Sequence, residues 1–267
     1  MKYKLIAVDV DGTLLNSKSE LSEDTEKAIK NAVDAGAFFI VSTGRPAAGI
    51  KRFSKVAGVD MPFILFNGAV VMMSMSQKVL YRQGLDISVA EEIVAAGKQR
   101  NTTIAIWTEK NLCAFSLNDR IKSYKSISGI EPLIIEKVSD LKNETIIKVL
   151  WYDEVDKISE YQTEMQDWFG EKANCHISRP YFLEFVDLKA SKAIALEKIG
   201  EWFDIERKEM IAIGDGYNDI SMIEYAGLGV AMGNAPDGVK SVADIVAPTN
   251  DNDGVAKIIN KYILNKF

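Results

Sequence analysis

Asp9-Val10-Asp11-Gly12-Thr13 places two carboxylates two residues apart, just after the short apolar run Leu5 to Val8. In an extended chain such residues point the same way, so Asp9 and Asp11 can face one reacting group together. Gly12 lets the backbone turn tightly behind them. Two carboxylates in one cleft need a cation or a shared proton to stay there. A calcium loop is one alternative, because Glu20 falls at the twelfth position counted from Asp9. Against it, Leu14 stands where that loop requires glycine, and a strand rather than a helix precedes it. An ordinary acidic turn is the other.

Three more groups bear on the same chemistry. Ser42-Thr43-Gly44-Arg45-Pro46 offers a hydroxyl, a backbone amide and a guanidinium, the parts of a phosphate cradle. Its plain alternative is a strand-to-helix turn in which Thr43 caps the next helix. Gly214-Asp215-Gly216-Tyr217-Asn218-Asp219 offers hard oxygen ligands suited to magnesium. Lys192 stands near the start of a helix, where a cation is slightly unfavourable for the helix dipole; a solvated surface lysine is the alternative. Asp9, Asp11, Asp215 and Asp219 bring four negative charges, and Lys192 and Arg45 two positive. One divalent cation would close that deficit. A phosphate ester would then meet magnesium, lysine and arginine, and an aspartate nucleophile would no longer repel it.

Such residues must be carried to one place by the fold. Leu5 to Val8, Phe38 to Val41, Phe63 to Phe66 and Ile211 to Ile213 are apolar runs that each stop at a polar or glycine-rich stretch. They read as strands buried on both faces, the habit of parallel sheets. A helix capped by Ser22, with Glu23 and Asp24 in its first turn, separates the first two and ends near Gly36. Val255, Ile258, Ile259, Tyr262 and Ile263 mark a C-terminal amphipathic helix. Alternating strand and helix predicts an α/β fold, a doubly wound parallel sheet whose ligands bind beyond the carboxyl ends of the strands. Residues 84–187 read differently: a helix from Ser88 to Arg100, strands at 103–108 and 112–117, a strand at 145–152, a helix bearing Ile158 to Phe169, and a hairpin at 173–177 and 181–186. This is an α+β module inserted into the α/β domain formed by 1–83 and 188–267.

Composition excludes other classes. Against 32 Lys and Arg stand 38 Asp and Glu, a net charge of -6 that argues against nucleic acid as partner. All of it falls on residues 84–187, with 12 basic and 18 acidic residues; the remainder holds 20 of each. Phosphate attraction would therefore come locally from magnesium, Lys192 and Arg45 rather than from the overall field. His176 is the one histidine, so a multi-histidine metal centre is ruled out. Cys113 and Cys175 cannot build a disulfide framework and read as buried thiols on strands. Neither a P-loop nor a full dinucleotide fingerprint occurs. No stretch has the length and polarity of a signal peptide or membrane span, so a cytoplasmic protein without a membrane partner is expected. Whether it acts alone or as a homo-oligomer is left open.

The four motifs in this order resemble the haloacid dehalogenase superfamily, specifically its Cof-type (subfamily IIB) phosphatases with a large α+β cap. Asn67-Gly68-Ala69 and the stretch from Gly229 to Ala235 look typical of that branch. The resemblance implies a Rossmann-like core with a C2-type cap that closes over the ester. Asp9 would be the nucleophile and Asp11 the general acid and base. Mg2+ would be held by the Asp9 carboxylate, the Asp11 carbonyl and Asp215, with Asp219 in support. Thr43, the amides near Val10 and Gly44, Lys192 and Asn218 would hold phosphoryl oxygens of a small phosphorylated substrate, a sugar phosphate above all, with Arg45 and Asn67 beside them. Ala193 departs from the glycine usual after the lysine. A phosphosugar mutase of this superfamily and a non-catalytic phosphometabolite sensor are the rival readings.

Overall fold

The computed structural model describes residues 2–47, 53 and 55–266. Strand β1 (Leu5–Val8) is wholly buried and runs into a wide helical turn, Val10–Leu14, before helix α1 (Glu23–Asp34). Ser22 caps α1 by accepting the Thr25 N–H at 3.2 Å. Strands β2 (Phe38–Ser42), β3 (Pro62–Leu65), β4 (Val70–Met73) and β5 (Val79–Arg82) follow. Next come α2 (Ile87–Gln99), β6 (Thr103–Thr108), β7 (Leu112–Ala114), α3 (Asp119–Ser128) and β8 (Leu133–Ile134). They lead to β9 (Ile146–Tyr152), α4 (Val155–Phe169), β10 (Asn174–Arg179) and β11 (Phe182–Val186). The chain ends with α5 (Lys192–Phe203), β12 (Met210–Gly214), α6 (Ile220–Tyr225), β13 (Leu228–Ala231), α7 (Asp237–Lys240), β14 (Ile245–Val246) and α8 (Gly254–Tyr262). Two compact units result, Met1–Tyr81 with Ser191–Phe267, and Arg82–Ala190.

The first unit is an α/β fold on one sheet, ordered β14-β13-β12-β1-β2-β3-β4-β5. The pairs from β14 to β3 are parallel, and β4 turns back antiparallel to β3. Leu5 and Ala7 pack with Leu196 and Ile199 of α5 and Met222 of α6. Ile6 and Val8 between them are equally buried, so both faces are covered as in a Rossmann-like, doubly wound sheet. β12, β1, β2 and β3 lie side by side, which sets the loops after their carboxyl ends next to one another.

The second unit is an α+β module with its own sheet, ordered β10-β11-β9-β6-β7-β8. Ile93 and Val94 of α2 and Ile158, Met165 and Phe169 of α4 cover one face, meeting Ile106, Val149, Trp151, Leu183 and Phe185. The alternate residues, among them Trp107, Lys148 and Glu184, belong to the other face. There Trp107 Nε1 donates to the Tyr124 hydroxyl of α3 at 2.7 Å. The strand expected over 112–117 is shorter, because the chain leaves the sheet after Ala114 to start α3, a helix the apolar pattern does not announce. Cys113 and Cys175 are buried on β7 and β10. Among the described residues no helix is long and apolar enough to cross a membrane.

Candidate active site

Lys192 is the centre of the site. It is the first residue of α5, whose cap Ser191 accepts the Ala193 N–H at 3.2 Å, so alanine fits this turn. Its side chain is fully buried, which excludes the surface lysine. Nζ donates to Asp9 Oδ1 and Asp219 Oδ1 at 2.6 Å each and to the Ser42 carbonyl at 3.1 Å. All three ammonium donors are thereby engaged.

Carboxylates of Asp9, Asp215 and Asp219 converge, each offering an oxygen within 4.8 Å of the others. Three negative charges share one lysine, so the cluster is two charges short of neutral. The titration behaviour follows. Burial, with Asp219 and Asp215 nearby, outweighs Lys192 and pushes the Asp9 carboxyl up to about 7. Burial raises Asp215 as well, while the two carboxylates around Lys192 raise the lysine against its own desolvation. A hard divalent cation fits this oxygen-rich, charge-deficient set. Oδ2 of Asp215 carries no hydrogen bond among the described residues, leaving it able to ligate, and Oδ2 of Asp9 is likewise open.

Asp219 does more than add charge. Oδ2 accepts the N–H groups of Asp215 at 3.0 Å and Gly216 at 2.9 Å, which pins the loop after β12. Asp215 Oδ1 is in turn held by the Thr13 hydroxyl at 2.6 Å. Asn234 Nδ2 donates to the Gly12 carbonyl at 2.8 Å and so braces the loop after β1 from behind. Thr13 and Asn234 stand in motifs the sequence displays, but their partners are about 200 residues away along the chain, and no local pattern reveals them.

Asp9 and Asp11 do not stand side by side on an extended chain. Gly12 has φ +80°, and Val10–Leu14 closes a wide turn with Leu15 N–H donating to the Val10 carbonyl. The period-two argument therefore fails beyond Asp9. Asp9 turns inward to Lys192, whereas Asp11 stays outside, its side chain 57% exposed. Arg45 meets Asp11 with Nε at 2.7 Å from Oδ2 and with Nη2 on Oδ1. The guanidinium expected on phosphate is thus paired with a carboxylate here.

Thr43 is buried at the end of β2, and its hydroxyl accepts the Arg45 N–H at 3.1 Å. Neither the Val10 nor the Gly44 amide meets a hydrogen-bond acceptor among the described residues. Asn67 follows β3 in the left-handed conformation, φ +56°, and its Oδ1 accepts from Asn218 Nδ2 at 3.1 Å. The structure therefore brings together Asp9, Lys192, Asp215 and Asp219, and separately pairs Arg45 with Asp11 and Asn67 with Asn218.

The sequence matches the haloacid dehalogenase-like hydrolases over residues 6–259. The chain belongs to that family. Phosphatase YwpJ of Bacillus subtilis is 32% identical, across 98% of this chain and 100% of the relative. The 5-amino-6-(5-phospho-D-ribitylamino)uracil phosphatase YcsE of the same organism is also 32% identical, across 98% of this chain and 96% of its own length. A solved haloacid dehalogenase-like hydrolase from Bacteroides thetaiotaomicron superimposes with a TM-score of 0.85 at 31% identity, covering 97% of this chain and 99% of the other. This haloacid dehalogenase-like hydrolase is accordingly an enzyme, a phosphoric monoester hydrolase.

Proposed function

We propose that the enzyme hydrolyses small phosphorylated metabolites, sugar phosphates above all, in two steps through an aspartyl-phosphate, and that it needs Mg2+. The shared lysine carries this reading: Lys192 holds one oxygen of Asp9 and leaves Oδ2 for attack. In the first step Asp9 Oδ2 bonds to phosphorus while the bond from phosphorus to the alcohol oxygen breaks. Asp11, lying outside the buried cluster, gives its proton to that oxygen. In the second, Asp11 takes a proton from water as the water oxygen bonds to phosphorus, and the bond to Asp9 breaks to release phosphate.

The other residues hold and neutralise. Asp9, Asp215 and the Asp11 carbonyl would bind Mg2+, which supplies the two missing charges and keeps Asp9 ionised. Asp219 fixes the loop that presents Asp215. Thr43 and the Val10 and Gly44 amides supply donors for phosphoryl oxygens, and Asn218, steadied by Asn67, supplies another.

Phosphate release from a panel of sugar phosphates, nucleotides and pyridoxal phosphate, with Mg2+ added, tests the reading. Wild-type protein should release phosphate and Asp9→Asn should retain only a trace; clear Mg2+-dependent release by Asp9→Asn removes Asp9 as nucleophile. Isomer formation without free phosphate would identify a mutase, and saturable binding without turnover a sensor.

A further inference from the structure

Asn234, after β13, and Asn250, between β14 and α8, take hold of the turn that carries Asp11, although neither belongs to the four motifs. The Asn250 N–H donates to Asn234 Oδ1 at 3.0 Å, which fixes the Asn234 amide with its donors toward the turn. Asn234 Nδ2 then donates to the Gly12 carbonyl at 2.8 Å. Asn250 Nδ2 donates to the Leu15 carbonyl, also at 2.8 Å. The linked amides thus form a relay that grips the first unit's turn just past Asp11 and again past its end. The same stretch holds the chain further on, where Asp251 Oδ1 accepts the Ser17 N–H at 2.8 Å and Asp253 Oδ1 the Ser22 hydroxyl at 2.6 Å.

Stability does not account for the relay. The Asn234 bonds to Gly12 and Asn250 are exposed, and water can replace a partner lost there. Geometry does account for it. Within Val10–Leu14, Asp11 lies at φ -84°, ψ 117° and Gly12 at φ +80°, neither of them helical, so no repeating structure dictates the path of the chain. The turn closes through Leu14 N–H on the Asp9 carbonyl at 3.1 Å and Leu15 N–H on the Val10 carbonyl at 3.0 Å, and these bonds pass over Asp11 and Gly12. Lys192 anchors the chain before Asp11, at the Asp9 carboxylate, and Asn234 anchors the backbone directly after it. Thr13 adds a side-chain anchor on Asp215. The exposed Asp11 side chain is therefore aimed by a turn whose outer edge the relay holds.

We infer that Asn234 and Asn250 are positioning residues for Asp11, setting the turn so that its carboxyl reaches the leaving oxygen of the ester. The inference rests on Asp11 being the general acid, as proposed above. Leaving-group dependence tests it, because kcat/KM covers the step in which the ester bond breaks, and a basic leaving oxygen needs a proton there. Phenyl phosphate and p-nitrophenyl phosphate are close in shape, but the phenyl ester releases much the more basic oxygen. With Mg2+ added, Asn234→Ala and Asn250→Ala should each lose about 30-fold in kcat/KM on phenyl phosphate and less than about threefold on p-nitrophenyl phosphate. In an Asp11→Asn background either substitution should cost less than about twofold more on phenyl phosphate. Each variant decides the matter should the other fail to fold. Equal losses on both esters, no loss on either, or undiminished losses in the Asp11→Asn background would each overturn the inference, since the relay would then serve the fold or the whole site. The reading beneath it would fall instead if Asp11→Asn alone lost equally on both esters, or if the wild type were inactive on both or active on p-nitrophenyl phosphate alone.

Discussion

Lys192 and Asp219 form an ion pair buried on both sides, at 2.6 Å, and the same ammonium also serves Asp9. Removing the lysine leaves carboxylates with no answering charge. Lys192→Met should therefore destabilise the apo protein by about 3–5 kcal/mol, the usual cost of breaking a buried pair from one side. Adding Asp219→Asn should recover at least about 1 kcal/mol of that loss, since contacting residues do not act additively. Urea unfolding of the two variants measures both numbers. A double variant weaker than the single one would mean that Asp219 stabilises the loop after β12 independently of Lys192.

Arg45 and Asp11 make a different pair, partly open to solvent, and its worth lies in orientation rather than stability. If Arg45 acts by holding Asp11, its removal should matter only while Asp11 is there. Arg45→Ala should lower kcat/KM by roughly tenfold in the wild type and by less than about twofold in an Asp11→Asn background. Additive losses would instead put Arg45 on the substrate phosphate, the role that a cation beside Thr43 suggests from sequence.

The contrast between these pairs marks what the sequence discloses. Strand ends are legible because parallel strands must be apolar along their whole length and must then stop. Asp9, Thr43, Asn67 and Asp215 could thus be placed on adjacent loops of one sheet. The internal wiring of those loops is not legible, because it depends on side-chain direction. The turn that begins at Val10 carries Asp11 away from Asp9, so one carboxylate meets lysine and the other arginine. Helix α3 is missed for another reason. Only Ile121 and Tyr124 are buried on it, too few for a periodic stripe. Its real signals are the caps: Asn118 accepts the Ile121 N–H at 2.9 Å, and Gly129 closes the helix at φ +71°.

Charge deficit in the cluster makes metal binding visible without turnover. Mg2+ should raise the thermal midpoint of the wild type progressively with concentration, as any ligand of the native state does. Asp215→Asn should abolish that rise while leaving the fold intact, since the Asp215 side chain is only half-buried and bonds one neighbour among the described residues, Thr13. An undiminished midpoint rise in Asp215→Asn would place the cation elsewhere.

Burial pushes the thiols of Cys113 and Cys175 up to about 11 and about 12. At pH 8 each is then thiolate in less than about 1% of molecules, and the thiolate is the reactive form. A disulfide reagent at pH 8 should leave both unlabelled in the native protein and label both at once after denaturation. Labelling of the native protein within minutes would show that the second unit opens readily around β7 or β10.

Gly68 links the loop after β3 to the lysine. Its φ of +101° is a conformation that side chains rarely adopt, and an added Cβ would overlap the carbonyl of Ser191 and the amide of Lys192. No flexible side-chain end could swing aside there, because the obstacle is backbone at the start of α5. Gly68→Ala must therefore shift the helix terminus that aims Lys192, although residue 68 itself carries no reactive group. Misplacing a catalytic group by about 1 Å can cost on the order of 100-fold in rate, so kcat should fall by that order. KM should change far less, because the phosphate donors at Thr43 and Gly44 belong to the neighbouring strand end. Stability should drop too, which unfolding curves will register. The split between kcat and KM carries the argument: a rise in KM at constant kcat would show that Gly68 shapes substrate binding and leaves Lys192 in place.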